Sequence, residues 1–577
     1  MVSCPATRPA SLAPAHPSLL PLLLPLLVAL PVALDGRAHA QSVERLSVAS
    51  DGTPGNAPSD EVSLSDDGAL AAFASDATNL VAGDTNGATD IFLRDRVAGT
   101  TRRVSVSSSG VQANGASHSP RLSGDGRFVA FTSAASNLVT GDTANRIDVF
   151  LHEIATGVTT RLSRSTANLQ ANGDCFEPAI SFDGRYVAFA SNANNLAAND
   201  TNSTRDIFLR DTQLNTTRRV SVTASGGEGN NESEHAALTR DGKYVAFQTG
   251  SFNLDPADLD GVRDIYRKDI SGGALTLVSL DAAGKKGNWD SIRPTLSDDG
   301  RFIAFESQSD VWLPGDSFGT PELFVKDLQT GSLTCWSVDS DGTLPPRGNA
   351  LSHRPTLSSD GLTLAFASSS HALVEGDSNG ADDVFCRNAM LQLTTRQSVD
   401  AAFDEADLGS SGAIVALTGD ARFVAYASDA TDLLAGGAAT RHVYLRERPR
   451  AAAAWSSYGS GWPGRQGVPS LSVSAPPQLN QPIDLLIGNS SGLWSVALVV
   501  LGASSGQWPT GFEGDLLVAP DATLLLALPP SGLAFGDRVP PDEAWIGARL
   551  FVQALQLDPA ASDGVSFTPG VELDFGE

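Results

Sequence analysis

Asp84, Asn86 and Asp90 stand in the pattern D-x-[ND]-G-x-x-D, which recurs as Asp258, Asp260 and Asp264 and again as Asp377, Asn379 and Asp383. Hard oxygens alternating around a glycine bend suit Ca²⁺, which takes roughly six to eight oxygen ligands. Each loop offers three side-chain oxygens, so carbonyls and water would have to complete the shell. A competing reading needs no metal. The first aspartate closes an Asx-turn, and the last caps the following strand by accepting loop N–H groups. Copies of the loop with Ala144 or Phe318 in the middle keep both acids, as that second reading expects.

A second set of polar residues occupies two adjacent positions in successive copies of a repeat. One holds Asp60, His118, Phe176, Glu234, Ile292, His353 and Ser411. Its neighbour holds Glu61, Ser119, Glu177, His235, Arg293, Arg354 and Gly412. Acids, histidines and arginines converging on one axis could bind a polar ligand or a peptide, or form a metal site if several repeats cooperate. They could also act as a glycan lyase or hydrolase, which needs two carboxylates about 5–10 Å apart. The plain alternative is solvated charge at a wet channel mouth. A literal G-x-S-x-G at Gly488–Gly492 is no nucleophile elbow, because the last histidine in the chain is His442 and no downstream base follows. No catalytic residue is assigned.

The unit that must hold these side chains is written seven times. An Asp-Gly pair falls at Asp67-Gly68, Asp125-Gly126, Asp183-Gly184, Asp241-Gly242, Asp299-Gly300 and Asp360-Gly361, with a degenerate copy at Asp420-Ala421. The spacing is 58 residues four times, then 61 and 60. A fixed period of this size marks stacked supersecondary units. Asp-Gly between apolar runs signals a hairpin turn. The run after it, as in Phe128 to Phe131, is apolar on consecutive residues, so that strand is buried on both faces. Four short strands per unit is the pattern of a β-propeller blade.

The seventh unit stops at Glu447 without a fourth strand. Arg45-Leu46-Ser47-Val48 matches Arg103-Val104-Ser105-Val106 in type and in distance from the next Asp-Gly, so the N-terminal strand is expected to close the last blade. The predicted fold is all-β: a seven-bladed β-propeller over 41–448, a linker over 449–467 and a small β-sandwich over 468–577. The repeated S-x-D-G-R-x-V-A-F, seen at Ser181–Phe189 and Ser297–Phe305, resembles WD-like propellers of the TolB-like kind across residues 43–448. That resemblance implies the propeller fold and covers both binding scaffolds and propeller modules attached to enzymes. The C-terminal part resembles modules at the ends of secreted bacterial proteins.

Net charge is −27, which excludes a nucleic-acid partner, since phosphate binding needs clustered Lys and Arg. Residues 1–40 read as a signal peptide, with an apolar stretch from Leu19 to Leu34 and a small-x-small site at Ala38-His39-Ala40. No later segment reaches membrane-spanning length without charges or prolines. Cys175, Cys335 and Cys386 occupy different positions in their repeats, so no repeating disulfide framework exists. The expectation is a secreted, periplasmic or envelope-associated binding or scaffold protein without catalytic activity. Its candidate channel residues are Asp60, Glu61, His118, Glu177, Glu234, His235, Arg293, His353 and Arg354, and its partner an envelope or extracellular protein or a polar ligand. The alternatives are a glycan-acting propeller enzyme and a calcium-stabilised adhesive protein.

Overall fold

The computed structural model describes residues 43–576, apart from 144–145, 314–319, 346–350, 401, 411–413, 435–439, 449–453, 459, 464, 511–514, 519, 521, 540–545, 547, 560 and 562–564. The segment read as a signal peptide, and Ala144, Phe318, Ser411 and Gly412, lie outside the described residues. Every regular element among the described residues is a strand, and no helix is long and apolar enough to cross a membrane. The chain divides between Arg450 and Ala451 into two compact units.

Among the described residues the larger unit contains seven four-stranded antiparallel sheets. The first repeat runs β2 (Ser59–Leu64), β3 (Leu70–Ser75), β4 (Asp90–Asp95) and β5 (Thr100–Arg103), paired in that order. Val43–Arg45 forms β1, which does not join the first sheet. It pairs with His442–Glu447 of the last one, in the register Val43↔Arg446, Glu44↔Leu445 and Arg45↔Tyr444. Innermost strands pack each against the next, and Ser59–Leu64 packs against Ala416–Leu417, so the series returns to its start.

Each second strand is buried on both faces, as its unbroken apolar run requires; Val129, Ala130 and Phe131 are fully buried. An aromatic pair stacks inside each sheet, from Phe73 and Phe92 at 5.9 Å to Tyr426 and Tyr444 at 6.4 Å. The Asp-Gly turn locks each repeat to its neighbour. Ser123 Oγ donates to Asp125, and the same Asp125 oxygen accepts the Arg127 amide. Gly184 has φ +72°, and a Cβ there would sit 2.9 Å from Cε2 of Phe128 in the preceding repeat and closer still to Cδ2. The degenerate seventh copy follows from the same junction. Ala421 also has a positive φ (+57°), but the residue in Phe128's register in the preceding repeat is Thr363, which is too small to clash.

The seventh sheet differs in its buried polar group too. Where the other repeats carry an acid, aspartate in five and Glu322 in the fifth, it carries His442, whose Nδ1 lies 2.8 Å from Ser47 Oγ on the N-terminal segment. Burial, and then Arg45, push His442 down to about 4. The folded value lies below the unfolded one of about 6.5, so this neutral imidazole contributes its full stability above pH ~6.5. That contribution is lost as pH falls from there toward 4. Carboxylates held up by burial, such as Asp264 at about 6 despite Lys286, act in the opposite sense. The readout is therefore the difference between wild type and His442→Gln in urea unfolding. Between pH 7.5 and 4.5 the wild-type advantage is expected to shrink by about 2–3 kcal/mol; a constant difference would contradict the assignment.

The smaller unit is also all strand. Arg549–Leu557 is central to a six-stranded sheet, between Ser495–Gly502 and Gly570–Asp574, and a three-stranded sheet pairs Leu471–Val473, Pro482–Ile487 and Leu533–Arg538. Ala454–Tyr458, within the stretch read as linker, pairs with Gly570–Asp574. Ser490 of the G-x-S-x-G match is buried, and its hydroxyl meets Ser566 at 2.8 Å and Asp558 at 3.3 Å.

Candidate functional site

The innermost strands carry a bulge at one register, as between Asp60 and Ser63 and between His118 and Arg121. The bulge residue is left-handed in six repeats: Glu61 (φ 56°), Ser119 (53°), Glu177 (51°), His235 (49°), Arg293 (52°) and Arg354 (60°). A non-glycine residue there costs about 1 kcal/mol. Such strain persists only where surrounding bonds over-determine it. Here the bonds run between repeats. The Ser119 amide donates to Glu61 Oε2 at 2.8 Å, the His235 amide to Glu177 Oε2 at 3.2 Å, the Arg293 amide to Gln248 at 2.8 Å and the Arg354 amide to Glu306 at 2.6 Å.

These six residues all line one cavity of about 460 Å³ on the ring axis. Of the two polar positions singled out in the repeat, the second faces this space. The first turns away to neighbouring side chains. Asp60 meets Arg441 at 3.1 Å, His353 meets Asp382 at 3.3 Å, Glu234 bonds Arg205, and His118 lies 3.6 Å from Glu61.

Arg121 also lines the cavity, and reading position by position passed it over. Its register holds Ser63, Ala179, Ala237, Thr295, Thr356 and Ala416 in the other repeats, each opposite an alanine of the next strand. One large cation among small residues is a signal that aligned repeats reveal. Arg121 is walled in by protein, which lowers its pKa against the pull of Glu61 and Glu177.

The electrostatics of the lining are mixed. Burial works against the Glu61 carboxylate, but the nearby His118 ring and the Ser119 amide outweigh it and hold Glu61 below the ordinary value. Burial raises Glu177 despite the His235 amide and Arg205. His235 is pushed down to about 4, by burial first and then by Arg293. Its ring is therefore neutral at pH 7 where it meets Glu177 at 3.1 Å.

One end of the axis is closed. The second residue of each S-x-D-G turn points inward, and in the fourth repeat it is Arg240. Its guanidinium lies over the Phe182 ring at 3.4 Å, bonds Asp66 of the first repeat at 2.9 Å and reaches Asp298 at 3.4 Å. Gly124 and Gly419 hold the same turn position. Cβ atoms there would collide with Phe182 and with Asp66 Oδ1, so glycine makes the room for this plug. Side chains thus fill this end of the cavity.

The aspartate loops lie elsewhere, at the edges of the sheets. In the first repeat the protein supplies its own cation: Arg103 is 3.4 Å from Asp84 and 3.3 Å from Asp90. Gln112 donates to both acids, and Ser105 to Asp90. Asn86 donates to Asp90 while its oxygen accepts the Ala88 amide. In the fourth repeat Leu277 replaces the arginine, and Lys286 stands where Gln112 does. Lys286 Nζ meets Asp258 at 3.1 Å and Asp260 and Asp264 at 2.6 Å each. In the sixth repeat Asn379 donates to the Ala406 carbonyl and accepts the Ala381 amide. Arg396 faces Asp377 and Asp383 there. Cys175, Cys335 and Cys386 are not joined in disulfides, and burial raises Cys175 and Cys335.

No protein-family model matches the chain, and no curated protein matches it. Among solved structures it is similar to TolB from Acinetobacter baumannii, at 19% identity and TM-score 0.32, over 53% of this chain and 59% of that one. It is also similar to prolyl oligopeptidase B from Galerina marginata, at 10% identity and TM-score 0.35, over 76% of this chain and 56% of that one. The chain thus spans under two thirds of either protein's length. The propeller architecture rests on the ring of sheets itself.

Proposed function

We propose that this chain is a seven-bladed β-propeller that binds a polar ligand, or a protruding polar segment of an envelope or extracellular protein, in the axial well. The C-terminal unit is read as a small β-sandwich that serves anchoring or interaction. The placement outside the cytoplasm rests on the leader-like sequence. The observation that carries the binding reading is the ring of left-handed residues. Backbone strain at the same register in six repeats is spent on aiming charged and polar side chains into one enclosed space. Glu61 and Glu177 face Arg121, and Arg293 and Arg354 lie on the other side, so the lining suits a ligand carrying both signs of charge.

The test is calorimetric titration of the full chain with free amino acids, short peptides and uronic-acid oligosaccharides, repeated with Arg121→Ala. At least one probe is expected to bind wild type and to lose about tenfold or more in affinity in the variant, because a charged partner lining the cavity is removed. Probes that bind both proteins equally, or neither, would reject the site.

One observation favours an enzymatic second reading. Glu61 and Glu177 share the well, and their surroundings move their pKa values in opposite directions, as an acid and base pair requires. A glycan lyase or hydrolase would then release product from uronic-acid oligosaccharides and lose that turnover in Glu177→Gln.

A further inference from the structure

We infer that the sixth repeat holds a calcium ion between Asp377, Asp383 and Glu405. The ligand oxygens of these three residues lie within 4.8 Å of one another, a spread that Ca²⁺–oxygen bonds of about 2.3–2.6 Å can span. The set differs from the D-x-N-G-x-x-D pattern, since Asn379 is committed to backbone partners and Glu405 comes from a separate loop.

The repeats supply their own controls. In the first and second repeats the position of Glu405 is glutamine, and Gln112 and Gln170 each donate to both aspartates. Two acids, one arginine and an amide donor leave a group with one negative charge whose two aspartates both accept from the glutamine. In the sixth repeat the glutamine becomes Glu405, which removes the donor and adds a third carboxylate. Three acids against Arg396 leave two negative charges. Glu405 itself is held by the Ser378 amide and hydroxyl and by Arg396 at 2.7 Å.

The aspartates are left short. Asp383 is fully buried, yet its Oδ2 has no hydrogen-bond donor, and neither has Asp377 Oδ1. The nearest cation, Arg396 Nη1, stands off at 3.7 and 3.8 Å. A buried carboxylate oxygen in that state is strongly disfavoured unless a partner arrives. The third repeat has the same residue types, Asp200, Asp206 and Glu228, but there Arg219 closes to 3.2 Å of Asp206 and bonds it. In the fourth repeat Lys286 fills the centre. Only the sixth combines the extra carboxylate with a withdrawn arginine among the described residues.

The experiment takes the full chain, strips it with chelator and dialyses it against CaCl₂, reading bound calcium by elemental analysis and Tm by calorimetry. The expected result is one calcium per chain and a Tm several degrees higher in millimolar CaCl₂. Glu405→Gln installs the residue that the first two repeats already use, so it is expected to fold. It should lose both the bound ion and the calcium-dependent shift, as should Asp377→Asn, while Glu228→Gln keeps them. Wild type that binds no calcium overturns the proposal. So does calcium binding that survives in both Glu405→Gln and Asp377→Asn.

Discussion

A chain that begins at Ser50 is expected to lose its cooperative unfolding transition. The missing segment is small, but it sits where the ring is sealed. Leu46 and Ser47 are fully buried, the Leu46 amide bonds the Val443 carbonyl at 2.8 Å, and Ser47 Oγ accepts the Val443 amide at 3.1 Å. Thr101 of the first sheet also donates to the Val48 carbonyl, at 2.5 Å. Losing the burial of Leu46, Val43 and Val48 removes about 5 kcal/mol, and His442 and Arg446 are left buried without their cover. The total is comparable with the roughly 5–15 kcal/mol that holds a domain folded. The exposed edge of His442–Glu447 would also invite association. Urea unfolding and trypsin digestion of the truncated chain are the measurements. A synthetic peptide of residues 43–50 should restore protection by adding the strand in trans. A truncated chain with an unchanged midpoint would refute closure by the N-terminal segment.

The second large effect is at the turn junctions. Gly184→Ala places a β-carbon against the Phe128 ring and puts a non-glycine residue at φ +72°. The conformational part is about 1 kcal/mol and the overpacking about 1–3 kcal/mol, so a loss of roughly 2–4 kcal/mol is expected. Phe128→Thr copies the arrangement of Thr363 and Ala421 at the last junction. In the double variant the two losses should not add. The clash disappears with the ring, and a coupling of at least about 1 kcal/mol is expected from the cycle. Additive losses would show that the ring is not what excludes a side chain at Gly184.

The ring of sheets was readable because seven copies repeat the same instructions: a turn aspartate, a glycine, and an apolar run buried on both faces. The closing strand was readable for the same reason, as Arg45 to Val48 is a copy of Arg103 to Val106 in the same register. What repetition hides is the exception. Arg121 and Arg240 each occupy a position that is small or unremarkable in the other copies, and together they shape the well and its floor. The first polar position, from Asp60 to His353, looked equivalent to its neighbour in the alignment. The strand bulge turns only the second one inward, and a bulge leaves no mark in residue type when Glu, Ser, His and Arg all accept the left-handed conformation. The aspartate loops were legible as a pattern, but their counter-charges were not. Arg103 follows Asp90 by a strand and a turn, and Gln112 lies in a further loop, so the cluster exists only once the sheet is folded.

The floor made by Phe182, Arg240, Asp66 and Asp298 fills one end of the ring of sheets. A long polymer bound in the cavity would therefore engage by offering a free end or a jutting side group. On the binding reading, a ligand would come and go by the same route.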